Sequence, residues 1–235
     1  MAKVSHELRT PLGAILGFAE MIQVGVYGEI SEQQHEATGK IIESTTYLSS
    51  MVNELLDQAQ LEARQLILVV DEFDPRDVTN TVQSRMQILA KHKGISLITQ
   101  VTPSLTSCVY GDEKRIQQIL INLVSNAIKF TETGTVKVHC YQPDAFHWAF
   151  QVSDTGIGIP TEAQRRIFEP FGQVDGSETR EQMGTGLGLS IVQQLTSLMG
   201  GQITLKSQVD RGSTFTVTLP IQAKQSLRSD VQNDD

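Results

Sequence analysis

Apolar residues near the start of the chain recur with the spacing of a helical seam. Alternating steps of four and three residues separate Leu8, Leu12, Ile15, Ala19, Ile22 and Val26. The segment VYGEIS then has turn character, and Ser31 is a candidate N-cap before EQQH. The same steps return in Ile41, Thr45, Leu48, Val52, Leu55 and Ala59. Two such helices joined by a short turn predict an antiparallel helical hairpin over residues 1–63.

This predicted hairpin cannot cover its own seam, because each helix has only one neighbour. Two hairpins that pair into a four-helix bundle bury much more apolar surface. Soluble assemblies of this kind are most often symmetric dimers. We therefore expect a homodimer in which each chain contributes half of the bundle.

The hydrophobic period changes after Arg64, and helices begin to alternate with strands. Three helices are predicted: one from Asp74 and Pro75 to Gly94, one over DEKRIQQILINLVSNAIKF, and one over GLGLSIVQQLTSLMGG. The predicted strands are LILVV (66–70), ISLITQV, TVKVHCY, HWAFQVS, QITLKSQ and STFTVTLP. This order predicts an α+β class, with one mixed sheet and helices on one face, over residues 64–222. The polar tail, residues 223–235, is predicted to be disordered.

Composition narrows the functional classes. A net charge of -8 argues against a nucleic-acid partner, which needs a basic face. No apolar run approaches the roughly 18 residues of a membrane span, and MAKVSHELRT is too polar for a signal peptide. We expect a cytoplasmic location for this portion, which leaves open a membrane anchor elsewhere in a longer protein. Cys108 and Cys140 form no metal or redox motif and are predicted to be buried free thiols.

Two glycine-rich segments are candidates for phosphate binding, DTGIGIP (154–160) and GTGLGLS (184–190). Glycine lets backbone N–H groups approach a phosphate, and the second segment opens a helix whose N-terminus favours anions. Neither segment fits the P-loop or the dinucleotide-binding pattern. Taken one at a time, each segment is also compatible with a simple tight turn.

An asparagine pair strengthens the case for a phosphate site. Asn122 and Asn126 stand four residues apart in NLVSNAIKF, so both amides face the same way on a helix, with Lys129 on the same side. Amide oxygens are hard ligands suited to Mg²⁺ shared with phosphates, and lysine can meet phosphate charge. The alternative interpretation is an ordinary solvated helix face.

Five motifs in a fixed order resemble the catalytic core of a sensor histidine protein kinase of two-component signalling. SHELRTPL resembles its phosphoacceptor box, NLVSNAIKFT its asparagine box, and DTGIGIP its first glycine box. FEPFGQ resembles its phenylalanine box, and GTGLGLS its second glycine box. The resemblance extends from about residue 3 to residue 220.

The resemblance implies a fold and a cofactor. The hairpin would be the dimerisation and histidine-phosphotransfer domain. Residues 64–222 would be an ATP-binding α/β sandwich of the GHKL type, the fold shared with heat-shock chaperones, gyrase-type ATPases and mismatch-repair ATPases. The expected cofactors are ATP and Mg²⁺.

The resemblance also implies roles for single residues in the ATP-binding domain. Asp154 would accept a hydrogen bond from the adenine amino group, and Gly156 and Gly158 would shape the adenine pocket. Asn126 would hold Mg²⁺, with Asn122 beside the phosphates. The remaining implied contacts with ATP come from Lys129, Phe130, Gly184, Thr185, Gly186, Leu187, Gly188 and Thr214. Residues 173–183 lack an apolar period and would form a lid over ATP.

His6 is the implied phosphorylation site. If Leu8 and Leu12 are the d and a positions of the seam, His6 falls at b and faces solvent. A neutral imidazole has a free lone pair that can attack a γ-phosphoryl group, and Glu7 can accept the proton from the other ring nitrogen. Thr10, one turn further on, would position water for dephosphorylating the partner. That expected partner is the receiver domain of a response regulator, whose aspartate takes the phosphoryl group from His6.

Two other functions stay open at this point. One is an ATPase of the same GHKL fold. The resemblance argues against it, because chaperone and topoisomerase relatives have a water-activating glutamate where Asn122 stands, and an amide is not a general base. The other is a non-catalytic dimer scaffold, which would bind no Mg-ATP.

Overall fold

The computed structural model describes residues 2–172 and 185–221, with side chains from residue 7 onward. The chain divides into two compact units, Met1–Leu66 and Ile67–Asp235. The predicted lid (173–183), Gly184 and the predicted disordered tail (223–235) lie outside the described residues. No helix in the described part is long and apolar enough to cross a bilayer.

The first unit is the expected helical hairpin. Helix α1 spans Ala2–Gln23 and continues through Pro11, and helix α2 spans Glu32–Glu62. Ser31 caps α2 as predicted, in a capping box with Gln34 in which each side chain bonds the backbone N–H of the other residue. The sequence includes Val26 both in the apolar seam and in the predicted turn segment VYGEIS. Val26 lies in the turn beyond Gln23, where Gly25 and Gly28 both adopt positive φ.

The seam of this hairpin is largely open. Ala19 of α1 and Thr45 of α2 are buried, but Ile15 is 48% exposed and Leu48 47%. Leu8, Ile41 and Leu55 are exposed to a similar degree. A pair of helices has no third element to enclose a two-sided apolar stripe. The seam therefore remains available to further apolar surface.

The second unit begins with a short strand and then alternates helices with strands. Its helices are α3 (Pro75–His92), α4 (Glu113–Phe130) and α5 (Gly188–Leu198), with a 3₁₀ turn at Arg166–Phe168. Its strands are β1 (Asp71–Phe73), β2 (Ser96–Val101), β3 (Val109–Gly111), β4 (Thr135–Tyr141), β5 (His147–Asp154), β6 (Gln202–Gln208) and β7 (Gly212–Pro220).

Five strands form one mixed sheet in the order β2-β4-β5-β7-β6. Strands β2 and β4 are parallel, and every other neighbouring pair is antiparallel. The predicted mixed sheet is therefore confirmed. An additional antiparallel ribbon of β1 and β3 was not predicted.

The hydrophobic core lies between one face of this sheet and the three helices. Alternate residues of β4 are buried, as are Phe215, Val217 and Leu219 of β7. The predicted apolar side of α4 faces this core: Ile116, Ile119, Leu120, Leu123 and Ala127 are all buried. The opposite face of the sheet is polar, as shown by the hydrogen bond from Gln151 to Thr216.

The strand predicted at LILVV (66–70) was wrong. These residues carry no strand pairing, and β1 begins only at Asp71, where the chain meets the three residues of β3. Ile67 is 86% exposed. The prediction for the cysteines was half right, since Cys140 is buried but Cys108 is exposed.

Candidate functional site

Helix α4 is the element to which both glycine segments attach. Asp112 caps its N-terminus by accepting a hydrogen bond from the N–H of Arg115, and its apolar face anchors it to the sheet. Asn122, Asn126 and Lys129 lie off that face and are each half-buried. Phe130 ends the helix and is 40% exposed. The predicted residues of this helix therefore share one accessible side.

The first glycine segment packs against the C-terminal end of α4. The N–H of Ile157 donates to the carbonyl oxygen of Phe130 (3.3 Å). A Cβ atom on Gly156 would collide with that carbonyl. Gly158 has φ +68°, and a Cβ there would collide with the carbonyl oxygen of Gln208. Both positions therefore require glycine, for close backbone approach and, at Gly158, also for its conformation.

Asp154 stands at the end of β5, where this segment begins. Its Oδ1 accepts hydrogen bonds from the N–H groups of Gly156 (2.9 Å) and Ser213 (3.2 Å). Burial raises the pKa of the Asp154 carboxyl above its usual value, although both N–H donors act in the opposite direction. Both of these donors bond Oδ1, and none of the described residues donates to Oδ2, so Oδ2 can accept a hydrogen bond from a ligand.

Positive charge is concentrated at the end of α4. The ammonium of Lys93 donates to the carbonyl oxygens of Ile128 (2.8 Å) and Lys129, which satisfies the last carbonyls of the helix. Burial, and secondarily the charge of Lys93, lowers the pKa of Lys129. The Lys129 ammonium also lies 5.1 Å from the ring centroid of Phe130. A second cation beside a half-buried lysine favours an anionic ligand.

The second glycine segment leads into α5 and contacts the middle of α4. The side-chain amide of Asn122 donates to the carbonyl oxygen of Gly188 (3.4 Å). Gly186 has φ +74° and packs against the backbone of Phe171, whose N–H donates to the Gly186 carbonyl. Thr185 accepts a hydrogen bond from the N–H of Leu187, whose side chain is buried.

The N-terminus of α5 has the properties of an anion-binding end. Its N-cap residue, Leu187, makes no side-chain capping hydrogen bond. The first N–H groups of a helix have no intrahelical acceptor and favour negative charge. This end begins at Gly188, beside Asn122 of α4.

Thr214 is not brought to this site. It pairs with Ser153 across β5 and β7, and its hydroxyl donates to the Ser153 hydroxyl (3.0 Å). Successive strand residues point to opposite faces, so Thr214 faces away from Phe215 and from the helices. The neighbouring Ser213 lies on the helix side, is buried, and bonds Asp154. The alternation of STFTVTLP alone could have distinguished Ser213 from Thr214.

Two further residues were missed in the sequence, Ser207 and Gln164. The Ser207 hydroxyl accepts a hydrogen bond from the N–H of Ile159 (2.8 Å). The side-chain amide of Gln164 donates to the carbonyls of Ile159 (3.0 Å) and Ser207 (3.2 Å). Neither residue belongs to a glycine or asparagine motif, and Ser207 is brought to this loop from a sequence separation of 48 residues.

The donor set fits a magnesium ion that arrives with phosphates. Among the described residues no group of three or more His, Cys, Asp or Glu side chains lies together, so no carboxylate cage competes for the ion. The amide hydrogen bond of Asn122 to Gly188 orients its side chain. Asn126, one turn further on, is half-buried beside it and offers a hard oxygen.

The hairpin contains the three other predicted site residues, His6, Glu7 and Thr10, all in α1. His6 belongs to α1, but its side chain lies outside the described residues, so its predicted exposure stays a prediction. Glu7 and Thr10 are exposed residues of the same helix. Arg9 donates from Nε to the Asn53 side-chain oxygen (3.0 Å), which links α1 to α2 next to this turn.

Two protein families match the chain. Residues 1–64 match the His Kinase A (phospho-acceptor) domain, and residues 111–223 match the histidine kinase-, DNA gyrase B- and HSP90-like ATPase. The chain is 40% identical over 224 residues to the circadian input-output histidine kinase CikA of Synechococcus elongatus. It is 37% identical over 225 residues to the sensor histidine kinase RcsC of Escherichia coli K12. These alignments cover 94% and 96% of the chain but only 30% of CikA and 23% of RcsC.

Solved structures show the same similarity. Full-length ShkA in complex with AMPPNP matches with a TM-score of 0.78 and 34% identity, over 94% of this chain and 46% of ShkA. The histidine kinase AdeS of Acinetobacter baumannii matches with a TM-score of 0.64 and 28% identity, over 93% of this chain and 98% of AdeS.

Proposed function

This chain belongs to the sensor histidine kinases of two-component signalling, and we propose that it is an ATP-dependent autokinase that phosphorylates His6. In this proposal His6 passes the phosphoryl group to an aspartate of a response-regulator receiver domain. The chain would act as a homodimer through its hairpin. The chain spans less than a third of the length of CikA and of RcsC. What a longer protein that contained this chain would do is therefore part of the same proposal.

One arrangement carries the proposal. A carboxylate, two amides, a half-buried lysine and the N-terminus of α5 meet around α4, in the same chain as a histidine-bearing hairpin. Asp154 can accept a hydrogen bond from the adenine amine through Oδ2, and the α5 N-terminus and Lys129 can meet the phosphates. Phosphoryl transfer needs positioning and charge stabilisation above all, and these groups supply both.

Magnesium would be held by the side-chain oxygen of Asn126 and would neutralise charge on the phosphates when ATP binds. Asn122 and Lys129 would orient the phosphates from the same helix side. His6 would then form an N–P bond to the γ-phosphorus as the bond to the β,γ-bridging oxygen breaks and ADP leaves. Glu7 would take the proton from the other ring nitrogen or stabilise the positive ring.

The second activity we propose is dephosphorylation of the partner. Thr10 lies one helical turn after His6, and both residues belong to α1. Its hydroxyl can hold a water molecule by donating or accepting a hydrogen bond. In this role Thr10 would orient water towards the phosphorylated aspartate of the response regulator.

Incubation with γ-labelled ATP tests the autokinase. We expect label on the protein that is stable in alkali and lost in acid, and that disappears in His6→Gln. His35 of α2 is exposed in the same hairpin, so His35→Gln is a matched control that should keep the label. Label that survives in His6→Gln would refute the assignment of His6.

The GHKL-type ATPase remains the second candidate, because the nucleotide site alone is compatible with it. It predicts steady release of phosphate that survives His6→Ala, whereas the autokinase predicts a phosphoenzyme that this substitution abolishes. Asn122 favours the autokinase, since an amide cannot activate water as a base. A scaffold without catalysis would bind no Mg-ATP, which titration of the wild type with Mg-ATP tests directly.

A further inference from the structure

The hydroxyl of Ser207 is the centre of a hydrogen-bonded cluster beneath the first glycine segment. It accepts from the N–H of Ile159 (2.8 Å), lies 3.0 Å from the carbonyl oxygen of Gly212, and lies 3.0 Å from the Ser213 hydroxyl. Residues 208–212 of the β6–β7 turn complete this cluster, because the N–H of Asp210 donates to the Ile157 carbonyl (2.8 Å). Ser207 therefore connects the glycine segment with the turn and with Ser213.

The donors and acceptors of this cluster fix the direction of each hydrogen bond. A hydroxyl has one proton and two lone pairs. A carbonyl only accepts, so the contact with Gly212 uses the proton of Ser207. The N–H of Ile159 uses one lone pair, and the remaining lone pair can only receive the proton of Ser213. One arrangement alone satisfies all three contacts, and in it Ser213 donates to Ser207.

This arrangement gives Ser213 the character of an acceptor. Ser213 is buried and lies directly beside Asp154, to which its own N–H donates. With its hydroxyl proton committed to Ser207, its oxygen presents lone pairs only. Asp154 also presents lone pairs through Oδ2. Two acceptors side by side suit a ligand group with two N–H donors and disfavour a carbonyl oxygen at the same place.

We propose that Ser207 is a positioning residue for base selection, which makes Ser213 an acceptor beside Asp154 so that the site takes adenine and rejects guanine. The inference rests on the proposed ATP-binding function. Adenine carries an amine at the ring position where guanine carries a carbonyl. Ser207 touches neither base, and it acts through the Ser213 hydroxyl and through the backbone of Ile159.

Gln164 supports the same cluster from the other side of the glycine segment. Its amide donates to the carbonyls of both Ile159 and Ser207, so it holds the segment against β6. It makes no contact with the Ser213 hydroxyl among the described residues. Loss of Gln164 should therefore loosen the segment without freeing the proton of Ser213.

Titration of the full chain with ADP and with GDP tests the inference. In Ser207→Ala the Ser213 proton is released and can turn towards the guanine carbonyl. We expect the affinity ratio of ADP to GDP to fall by about tenfold, which corresponds to the loss of one well-placed hydrogen bond. A residue that only maintained the fold would weaken both nucleotides equally and leave the ratio unchanged.

Three variants sharpen this test. Ser207→Thr keeps the hydroxyl and should keep the wild-type ratio. Gln164→Ala should weaken ADP and GDP together. Thr204→Ala, on the exposed side of the same strand, is the matched control and should change neither affinity. If Ser207→Ala does not fold, Ser207→Cys serves instead, because a thiol is a weak acceptor and should lower the ratio in the same direction.

The outcomes separate the two proposals. A wild type that binds no ADP would remove the proposed function and this inference with it. A wild type that binds ADP, together with an unchanged ADP to GDP ratio in folded Ser207→Ala, would overturn this inference alone. A lowered ratio that Ser207→Thr restores would establish it.

Discussion

The two units of this protein differ in how far the apolar faces of their helices are buried. The second unit encloses a core, in which Leu123 is 1% exposed and Ile119 is fully buried between α4 and the sheet. The hairpin leaves Ile15, Leu48 and Leu55 close to half exposed, although they recur with the regularity of a core. An α/β layer structure can enclose its own core, whereas two helices cannot. The second unit therefore encloses a core by itself, whereas the hairpin leaves its seam open, as the proposed homodimer expects.

The difference extends to what each unit does with polar groups. The second unit holds Asp154, Ser207 and Ser213 in a partly buried network of hydrogen bonds between N–H groups, hydroxyls and a carboxylate. In the hairpin, Glu36 and Lys40 form an ion pair on the solvent side, where such pairs contribute little. The hydrogen-bonded network around the first glycine segment therefore lies in the unit that encloses its own core.

The largest expected effect comes from placing a charge on an exposed apolar residue in each unit. Leu48→Glu should weaken dimerisation by about 100-fold or more, since it removes a leucine from the proposed interface and places a carboxylate there. Ile88→Glu on α3 is the matched control, because Ile88 is 64% exposed and belongs to the second unit, outside the proposed interface. Analytical ultracentrifugation at several protein concentrations measures the change. Equal dimer dissociation constants for Leu48→Glu and Ile88→Glu would contradict the proposal that the hairpin seam is the interface.

The next effect concerns the half-buried carboxylate of Asp154. Asp154→Asn should lower the affinity for ATP by about 10- to 100-fold, because it removes a charged acceptor for the adenine amine. Titration with Mg-ATP measures this loss, and Asp144→Asn in the exposed β4–β5 loop is the control. Affinity that is unchanged by Asp154→Asn would contradict the proposed adenine contact.

The same variant makes a prediction about pH. Because the pKa of Asp154 is raised in the folded state, ionisation of this group opposes folding. The protonated carboxyl adds to the free energy of unfolding at a pH below its unfolded-state pKa. This stabilisation is lost as the pH rises through the folded-state pKa. Asp154→Asn should therefore stabilise the nucleotide-free protein at neutral pH, and this gain should vanish in acid. Thermal unfolding of the wild type and of Asp154→Asn, at neutral and at acidic pH, measures the difference in stability between them.

The smallest expected effect compares one glycine in each unit. Gly158→Ala should lower the free energy of unfolding by more than about 1 kcal/mol, because its φ of +68° and the Gln208 carbonyl both exclude a side chain. Gly13→Ala in α1 meets nothing within 4 Å and should raise that free energy by about 0.5–1 kcal/mol. Urea denaturation measures both values. A neutral Gly158→Ala would contradict the requirement for glycine in the first glycine segment.

Periodicity predicted most of this fold. The seams of α1 and α2, the buried side of α4 and the alternation of β4 and β7 are local patterns, and each appears in the structure. The strand at residues 66–70 failed because a strand needs a partner. Its apolar run looked like a strand, but the available pairing with Val109–Gly111 begins at Asp71.

The sequence by itself determined the chemistry in local motifs, because spacing along a helix or in a glycine turn fixes which groups face together. It placed Asn122, Asn126 and Lys129 on one side of a helix and named Asp154 and both glycine segments. Only the tertiary structure decided that the N–H of Ser213 reaches Asp154, that Ser207 holds the glycine segment, and that Gln164 reaches the Ser207 carbonyl. These contacts join residues far apart in the chain, and their partners depend on strand register, which no local pattern contains.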